Sequence, residues 1–363
     1  MRLQKRSTAE IDPDFSFSNV SEQFRKYIWK KYVFIIICLM VSLVVAIYAL
    51  TIGTYDIGFW ECFRILVDHL QGNILDSTKD VIIWNVRLPR ILLGAVVGAG
   101  LAVGGATMQS VLKNPLADSY TTGISSGASF GATIAIILGL TVAGGNGAIV
   151  ANAFIFSLVP VLLIVVISGL RKTSPTTMIL SGIAIMYVFN AITTVLMLMS
   201  DPDDLAAVYS WQVGSLSTAT WDSIPISSAV TVAGVIALAL LSNKLNILSA
   251  GDESAKSLGV DANKIRIISL LIVSLITASI VSFTGIIGFV GLVSPHVARL
   301  FIGSDNKFLI PASATFGVML VLISDLVGRT VIAPAVLQVG VVTAFLGGPL
   351  FLYLLIKQRK EIW

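Results

Sequence analysis

Apolar runs close to 20 residues long recur along most of the chain, separated by short polar stretches, with no period-2 alternation inside them. An α-helix needs about 20 apolar residues to cross ~30 Å of hydrocarbon, and in lipid only helices or closed barrels satisfy their own backbone groups. The lack of alternation excludes the barrel. Ten spans are predicted, at roughly 32–52, 91–112, 123–143, 148–169, 177–199, 225–242, 265–284, 286–303, 309–327 and 338–356. The eighth is short and Gly-rich, which predicts a broken or partial crossing. The expected fold is an all-α polytopic membrane protein of about ten transmembrane helices with both termini cytoplasmic. Residues 1–31 read as a cytoplasmic tail, 32–356 as the transmembrane domain and 357–363 as a second cytoplasmic tail. The first tail is too long for the charged start of a signal peptide, and no small-residue cleavage site follows 32–52, so the first helix is expected to stay.

Charge sets the orientation. With the N-terminus inside, 19 of the 24 Lys and Arg fall on inside segments, as the positive-inside rule requires. The five outside are Arg64, Lys79, Arg87, Arg90 and Arg329. Three of these stand beside spans, against the bias: Arg87 and Arg90 in the RLPR stretch before span 2, and Arg329 four residues after Asp325. The surrounding outer loops are acidic. Two readings stand: interfacial snorkelling or local pairing, or a basic docking point for an acidic external partner.

Composition agrees with the pattern. Of 363 residues 56% are hydrophobic and 12% charged, about half the ~25% charged share of soluble domains; the mean hydropathy is +0.91. The net charge of +4 is spread without a clustered basic face, which argues against nucleic-acid binding. Cys38 lies in a span and Cys62 in a loop, offering no disulfide framework and no metal spacing. His69 and His296 have no second His or acid at ligand spacing, and no Ser–His–Asp set can be assembled. No GxxxxGK[ST] phosphate loop is present. Gly98-Ala-Gly100-Leu-Ala-Val-Gly104 follows no strand and lies mid-span. Its pairs Gly94/Gly98 and Gly100/Gly104 put small residues one turn apart, where helices pack closely. Ionisable groups are scarce within spans, with Asp325 and Arg299 near helix ends. A charge at the bilayer centre costs ~2.5–3.5 kcal/mol or more, so a proton relay would be conspicuous. Secondary transport and a membrane-embedded enzyme both lose ground for want of such groups. The inside segment LNILSAGDESAKSLGVDANKIR, 245–266, reads as one or two short helices outside the bilayer. It is either a plain connection or a surface helix fitting a groove on a cytoplasmic partner.

Several stretches taken together resemble one family. They are RLPRILLGAVVGAGLAVGGATMQSVLKNPLAD (87–118), GISSGASFGA (123–132), WQVGSLS (211–217), AKSLGV (255–260), GFVGLVSPHVARLFIGSD (288–305), DLVGRTVIAP (325–334) and GVVTAFLGGPLF (340–351). In that order, over about residues 32–357, the chain resembles the permease subunits of ABC importers for iron-siderophores, haem and cobalamin. The resemblance implies ten helices per subunit, a homodimer with a central pathway, and no catalysis by this chain. It implies two cytoplasmic ATPase subunits, which carry the ATP and magnesium, and an external substrate-binding protein; no cofactor is expected on the chain itself. It assigns Arg87, Arg90 and Arg329 to docking of the binding protein. It assigns Asn114 and Leu116, and less directly Ser174 and Thr176, to a cytoplasmic gate. Ala255, Lys256, Ser257, Leu258, Gly259 and Val260 are assigned to ATPase coupling. Pro115 and Pro175 fit rigid turns at the gate or simple helix ends alike. The chain departs from the family's usual residues at Ser119, Asn306, Lys307, Val336 and Gln338. An uncharged path lined by side chains such as Met178 and Met186 would suit several bulky cargoes. The cargo expected is an iron-siderophore or related metal chelate, with cobalamin or haem by the same machinery as the alternative.

Overall fold

The computed structural model describes residues 17–53, 55, 57–170 and 174–357. Residues 1–16 and 358–363 of the two expected tails, and Arg171 and Lys172, both expected on the inside, lie outside them. The described residues are all-helical apart from turns and loops. The α-helices run in order: α1 Phe17–Thr51, α2 Phe59–Gln71, α3 Ser77–Asp80, α4 Leu88–Leu112, α5 Ile124–Ile137, α6 Ala148–Leu170, α7 Pro175–Leu198, α8 Pro202–Gln212, α9 Ser223–Leu240, α10 Ser242–Ser249, α11 Asp252–Ser257, α12 Ala262–Thr284, α13 Val290–Ile302, α14 Asn306–Thr330 and α15 Val339–Lys357. A π-helix, Val81–Arg87, joins α3 to α4. Seven helical stretches are long and apolar enough to cross a membrane, and α5, α13 and α15 are shorter apolar helices. Together they occupy the ten predicted spans.

α4 is the central post, buried along nearly its whole length. Its Gly/Ala-rich sequence is the reason. A Cβ on Gly98 would overlap the Gly317 backbone of α14, and one on Gly105 would overlap Gly291 of α13. Without side chains there, backbones meet directly, which is how helices gain contact when lipid competes equally for apolar surface. α1, by contrast, shows Ile36, Ile37, Leu39, Met40, Leu43 and Val44 on its exposed surface. Such a helix suits lipid.

Three details differ from the sequence expectation, and one agrees with it. α1 begins at Phe17, so residues 17–31 of the expected tail are helix, and Lys31 lies over the rings of Tyr27 and Phe308, 4.4 and 4.3 Å from their centroids. The third span stops at Ile137, with Gly139 in the left-handed region at φ 61°. α2 and α8 build loops that showed no span-length signal. α13, the predicted partial crossing, has 13 residues and covers only ~20 Å.

Because α13 begins deep in the bundle, the chain from Gly285 to Phe289 is non-helical there. Its backbone is satisfied from neighbours. Ser215 N donates to Thr284 O at 2.7 Å. The Tyr120 hydroxyl donates to Ile287 O at 3.1 Å and stands 3.3 Å from Ile287 N, which donates to it. Gly340 N donates to Gly214 O at 2.9 Å, tying in the start of α15. Irregular backbone at membrane depth survives only when buried in protein or lining a cavity.

Candidate functional site

The expected site residues gather at the two ends of the bundle. At the end the charge bias assigns to the outside, Arg87, Arg90 and Arg329 come together but do not project as free cations. Arg87 is 5% exposed and donates to the carbonyls of Leu50, Thr51 and Tyr55 at 2.5–3.0 Å. Arg90 Nε donates to Asp325 Oδ1 at 2.9 Å, and its Nη1 to Ser217 Oγ at 3.0 Å. Arg329 Nε lies 3.2 Å from Asp325 Oδ2, and its Nη1 donates to Ala49 O at 3.1 Å. The sequence places this cluster by simple means: Asp325 and Arg329 are one turn apart on α14, and Arg87 and Arg90 one turn apart entering α4. The last carbonyls of α1 have no intrahelical partners, and the guanidiniums supply them. The local pairing that sequence left open is therefore present. Three Arg against one Asp leaves the cluster with formal charge +2.

At the other end, α4 closes on Lys113 in the left-handed region, φ 50°. Asn114 Oδ1 accepts from Leu116 N at 2.9 Å, forming a side-chain turn at Pro115. That turn holds Leu116 out, 50% exposed. Ser174 caps α7 by accepting from Thr177 N at 3.1 Å, and Thr176 is exposed on the first turn.

The segment 245–266 folds as the end of α10, the short α11 and the start of α12. AKSLGV is a Schellman C-cap: Val260 N donates to Ala255 O at 2.8 Å and Gly259 N to Lys256 O at 3.1 Å. Gly259 has φ 73°, the left-handed value that this motif demands of its C′ residue. The cap buries Ala255 completely and leaves Leu258 65% exposed. Lys256 and Ser257 lie on the exposed side.

The Asn114–Leu116 turn and the 245–266 segment are joined through a residue that sequence reasoning had not singled out. Asp252, the first residue of α11, accepts from Lys113 Nζ at 2.6 Å and from Arg266 Nη2 at 2.5 Å. Arg266 is fully buried at the start of α12 and also donates to Val111 O at 3.5 Å. Its hydrogen bond, then that of Lys113, holds the Asp252 carboxyl well below its usual 3.8, at about 2. One carboxylate therefore binds α11 both to α12 and to the residue just before Asn114. The available signal was the alternating charge of GDESAK. Beside it, Ser174, Asp252, Lys256, Gly259 and Val260 line a cleft of ≈ 700 Å³. Ser174 and the AKSLGV cap thus share one cleft.

Met178, expected along the path, is instead 1% exposed within the main apolar core; Met186 does line a cleft, between α5, α7 and α8. Among the described residues, no group of three or more His, Cys, Asp or Glu could hold a metal ion.

Comparison with known proteins covers the whole arrangement. Residues 38–357 match the FecCD transport family. The chain is 40% identical over 280 residues to a cobalamin import permease of Halobacterium salinarum, covering 77% of this chain and 74% of that one. It is 38% identical over 290 residues to a hemin transport permease of Yersinia pestis, covering 78% and 87%. A Bacillus subtilis Fe(3+)-citrate import permease is 34% identical over 326 residues, covering 89% and 97%. A solved inward-facing metal-chelate type ABC transporter superposes with TM-score 0.79 at 28% identity, covering 89% of this chain and 99% of that one. With a match running from α1 to α15 and the same bundle in a solved relative, the chain belongs to the FecCD transport family and is a multi-pass ABC transporter permease.

Proposed function

We propose that this permease works as a homodimer in the plasma membrane, with two cytoplasmic ATPase subunits and an external binding protein, to import a metal chelate, haem or cobalamin. The permease hydrolyses nothing; ATP and magnesium belong to the ATPases. The relatives named for iron citrate, hemin and cobalamin support the cargo class. The observation that carries the reading is the Asp252 bridge, because it couples an exposed surface helix to the turn bearing Leu116. In this reading the exposed Leu258, held by the AKSLGV cap, enters a groove on the ATPase. Movement of α11 then reaches Lys113, Asn114 and Leu116 of the gate through the bridge, with Ser174 and Thr176 on its other side. The +2 arginine cluster gives the outer face a positive field for a binding protein with acidic contacts, and its internal bonds hold that field in place.

The test is coexpression with the neighbouring ATPase and binding-protein genes, copurification, and uptake in reconstituted vesicles. ATP-driven uptake that also requires the binding protein is the expected result. Leu258→Glu should strip the ATPase from an otherwise folded permease. Full ATPase retention by that variant, or uptake independent of ATP, overturns the reading.

A further inference from the structure

α5, α7 and α8 enclose a second cleft, of ≈ 490 Å³, which the gate and coupling elements do not use. Its lining includes Ser125 and Ser129 of α5, Asn190 and Thr194 of α7, and Tyr209 and Gln212 of α8. None of its lining residues is a Lys, Arg, Asp or Glu. We propose that this cleft is a cargo-contact site that recognises a charge-neutral metal chelate carrying amide, carbonyl or hydroxyl groups on its surface. The proposal rests on the importer reading above.

Three observations carry it. Asn190 and Thr194 are exposed one turn apart within the membrane-length α7. A primary amide facing lipid is costly, so this stripe is turned away from lipid. Next, Ile286 from the non-helical 285–289 stretch reaches the same cleft. Irregular backbone at this depth is tolerated where it is buried in protein or lines a cavity, and here it does line one. Last, the polar groups are arranged. Gln212 Nε2 donates to Ser129 Oγ at 2.9 Å, which fixes the amide. Thr193 and Thr194 give their hydroxyl protons to Phe189 O and Asn190 O, both at 2.8 Å. Their oxygens remain as acceptors beside the Asn190 amide and the Tyr209 hydroxyl.

A wall of fixed donors and acceptors without charge favours a cargo that can match it by hydrogen bonds. A polyanionic chelate would lose hydration against this wall and find no cation there. The volume falls within the ~300–1,000 Å³ of ordinary ligand sites, enough to grip one face of a larger chelate.

The test uses the full importer in vesicles and four probes: a neutral ferric trihydroxamate, cyanocobalamin, haem and the trianionic ferric tricatecholate. ATP-driven uptake is expected for a neutral probe, the trihydroxamate or cyanocobalamin, and not for the anionic ones, haem with its propionates and the tricatecholate; haem as the one probe moved would overturn the neutral-cargo assignment. Asn190→Leu should lower that uptake about tenfold, the scale set by an unmatched polar group. Asn190→Gln should stay within about threefold, and Thr194→Val, nearly isosteric, should show an intermediate loss. Assembly of each variant is checked by copurification of the ATPase. Preferred uptake of the tricatecholate, or wild-type uptake by assembled Asn190→Leu and Thr194→Val, overturns the cleft assignment and leaves the importer reading standing. No ATP-driven uptake of any probe overturns the importer reading itself.

Discussion

Replacing Asp252 by Asn tests the bridge between α11 and the turn that bears Leu116. The change keeps the side-chain shape and removes the charge that Lys113 and Arg266 share. The carboxyl is held near 2 rather than 3.8, a depression equivalent to at most ~2.5 kcal/mol. The Asp252 side chain is 48% exposed, and water screens a pair of that kind toward ~1 kcal/mol or less. Arg266 raises the figure again, because it is fully buried and loses a charged partner; for wholly buried pairs that loss reaches ~3–5 kcal/mol. With one partner in water and Val111 O still within 3.5 Å of Arg266, the two effects meet at about 1–2 kcal/mol, a shift of ~5–30-fold between linked and unlinked states. The assay is the ratio of cargo moved to ATP hydrolysed in vesicles. Asp252→Asn should lower that ratio several-fold, Lys113→Met should lower it less, and the double variant should fall short of additivity. The sign of the pH dependence follows from a lowered carboxyl pKa. Stabilisation is complete above the unfolded value of ~3.9 and is lost as pH falls toward ~2, so the ratio should not change with pH between 5 and 8 on account of this bridge. An unchanged ratio in both single variants would refute the linkage.

Other substitutions probe the remaining elements. Asp325→Ala leaves Arg90 and Arg329 buried without their shared carboxylate; it should destabilise by about 3–5 kcal/mol, seen as a clear drop in thermal midpoint in detergent, and an unaltered midpoint would show that the cluster does not hold the outer ends together. Gly105→Ala drives a methyl into the Gly291 backbone and should cost about 1–3 kcal/mol as α13 is displaced; wild-type stability would mean that α4 and α13 are free to separate. Leu116→Ala removes an exposed apolar side chain from the turn proposed as the gate, so it should leave stability unchanged while vesicles leak cargo without ATP; vesicles as tight as wild type would remove Leu116 from that proposal.

The ten spans, the partial eighth crossing and the presence of one or two short helices in 245–266 were legible because each rests on local chemistry: run length, Gly content and charge alternation. The same local logic placed Gly98 on a close-packed face, since small residues one turn apart permit contact whatever the partner. It could not name the partner, Gly317, or find Gly105 against Gly291, because those contacts join segments far apart in the chain. Pairing failed for the same reason at the ends. Arg87, Arg90 and Arg329 were visible as charges out of place, yet whether a guanidinium reaches solvent or turns to Leu50 O and Asp325 depends on how α1, α4 and α14 converge. Lys113, Asp252 and Arg266 are ordinary charges in sequence and become one bridge only when α4, α11 and α12 meet. Met178 and Met186, two turns apart on one helix, divide between core and cleft according to which neighbours flank α7. Hydropathy acts along the chain and reports which segments leave water. Ion pairs, backbone contacts and clefts act across it, and their existence depends on distances that folding alone sets.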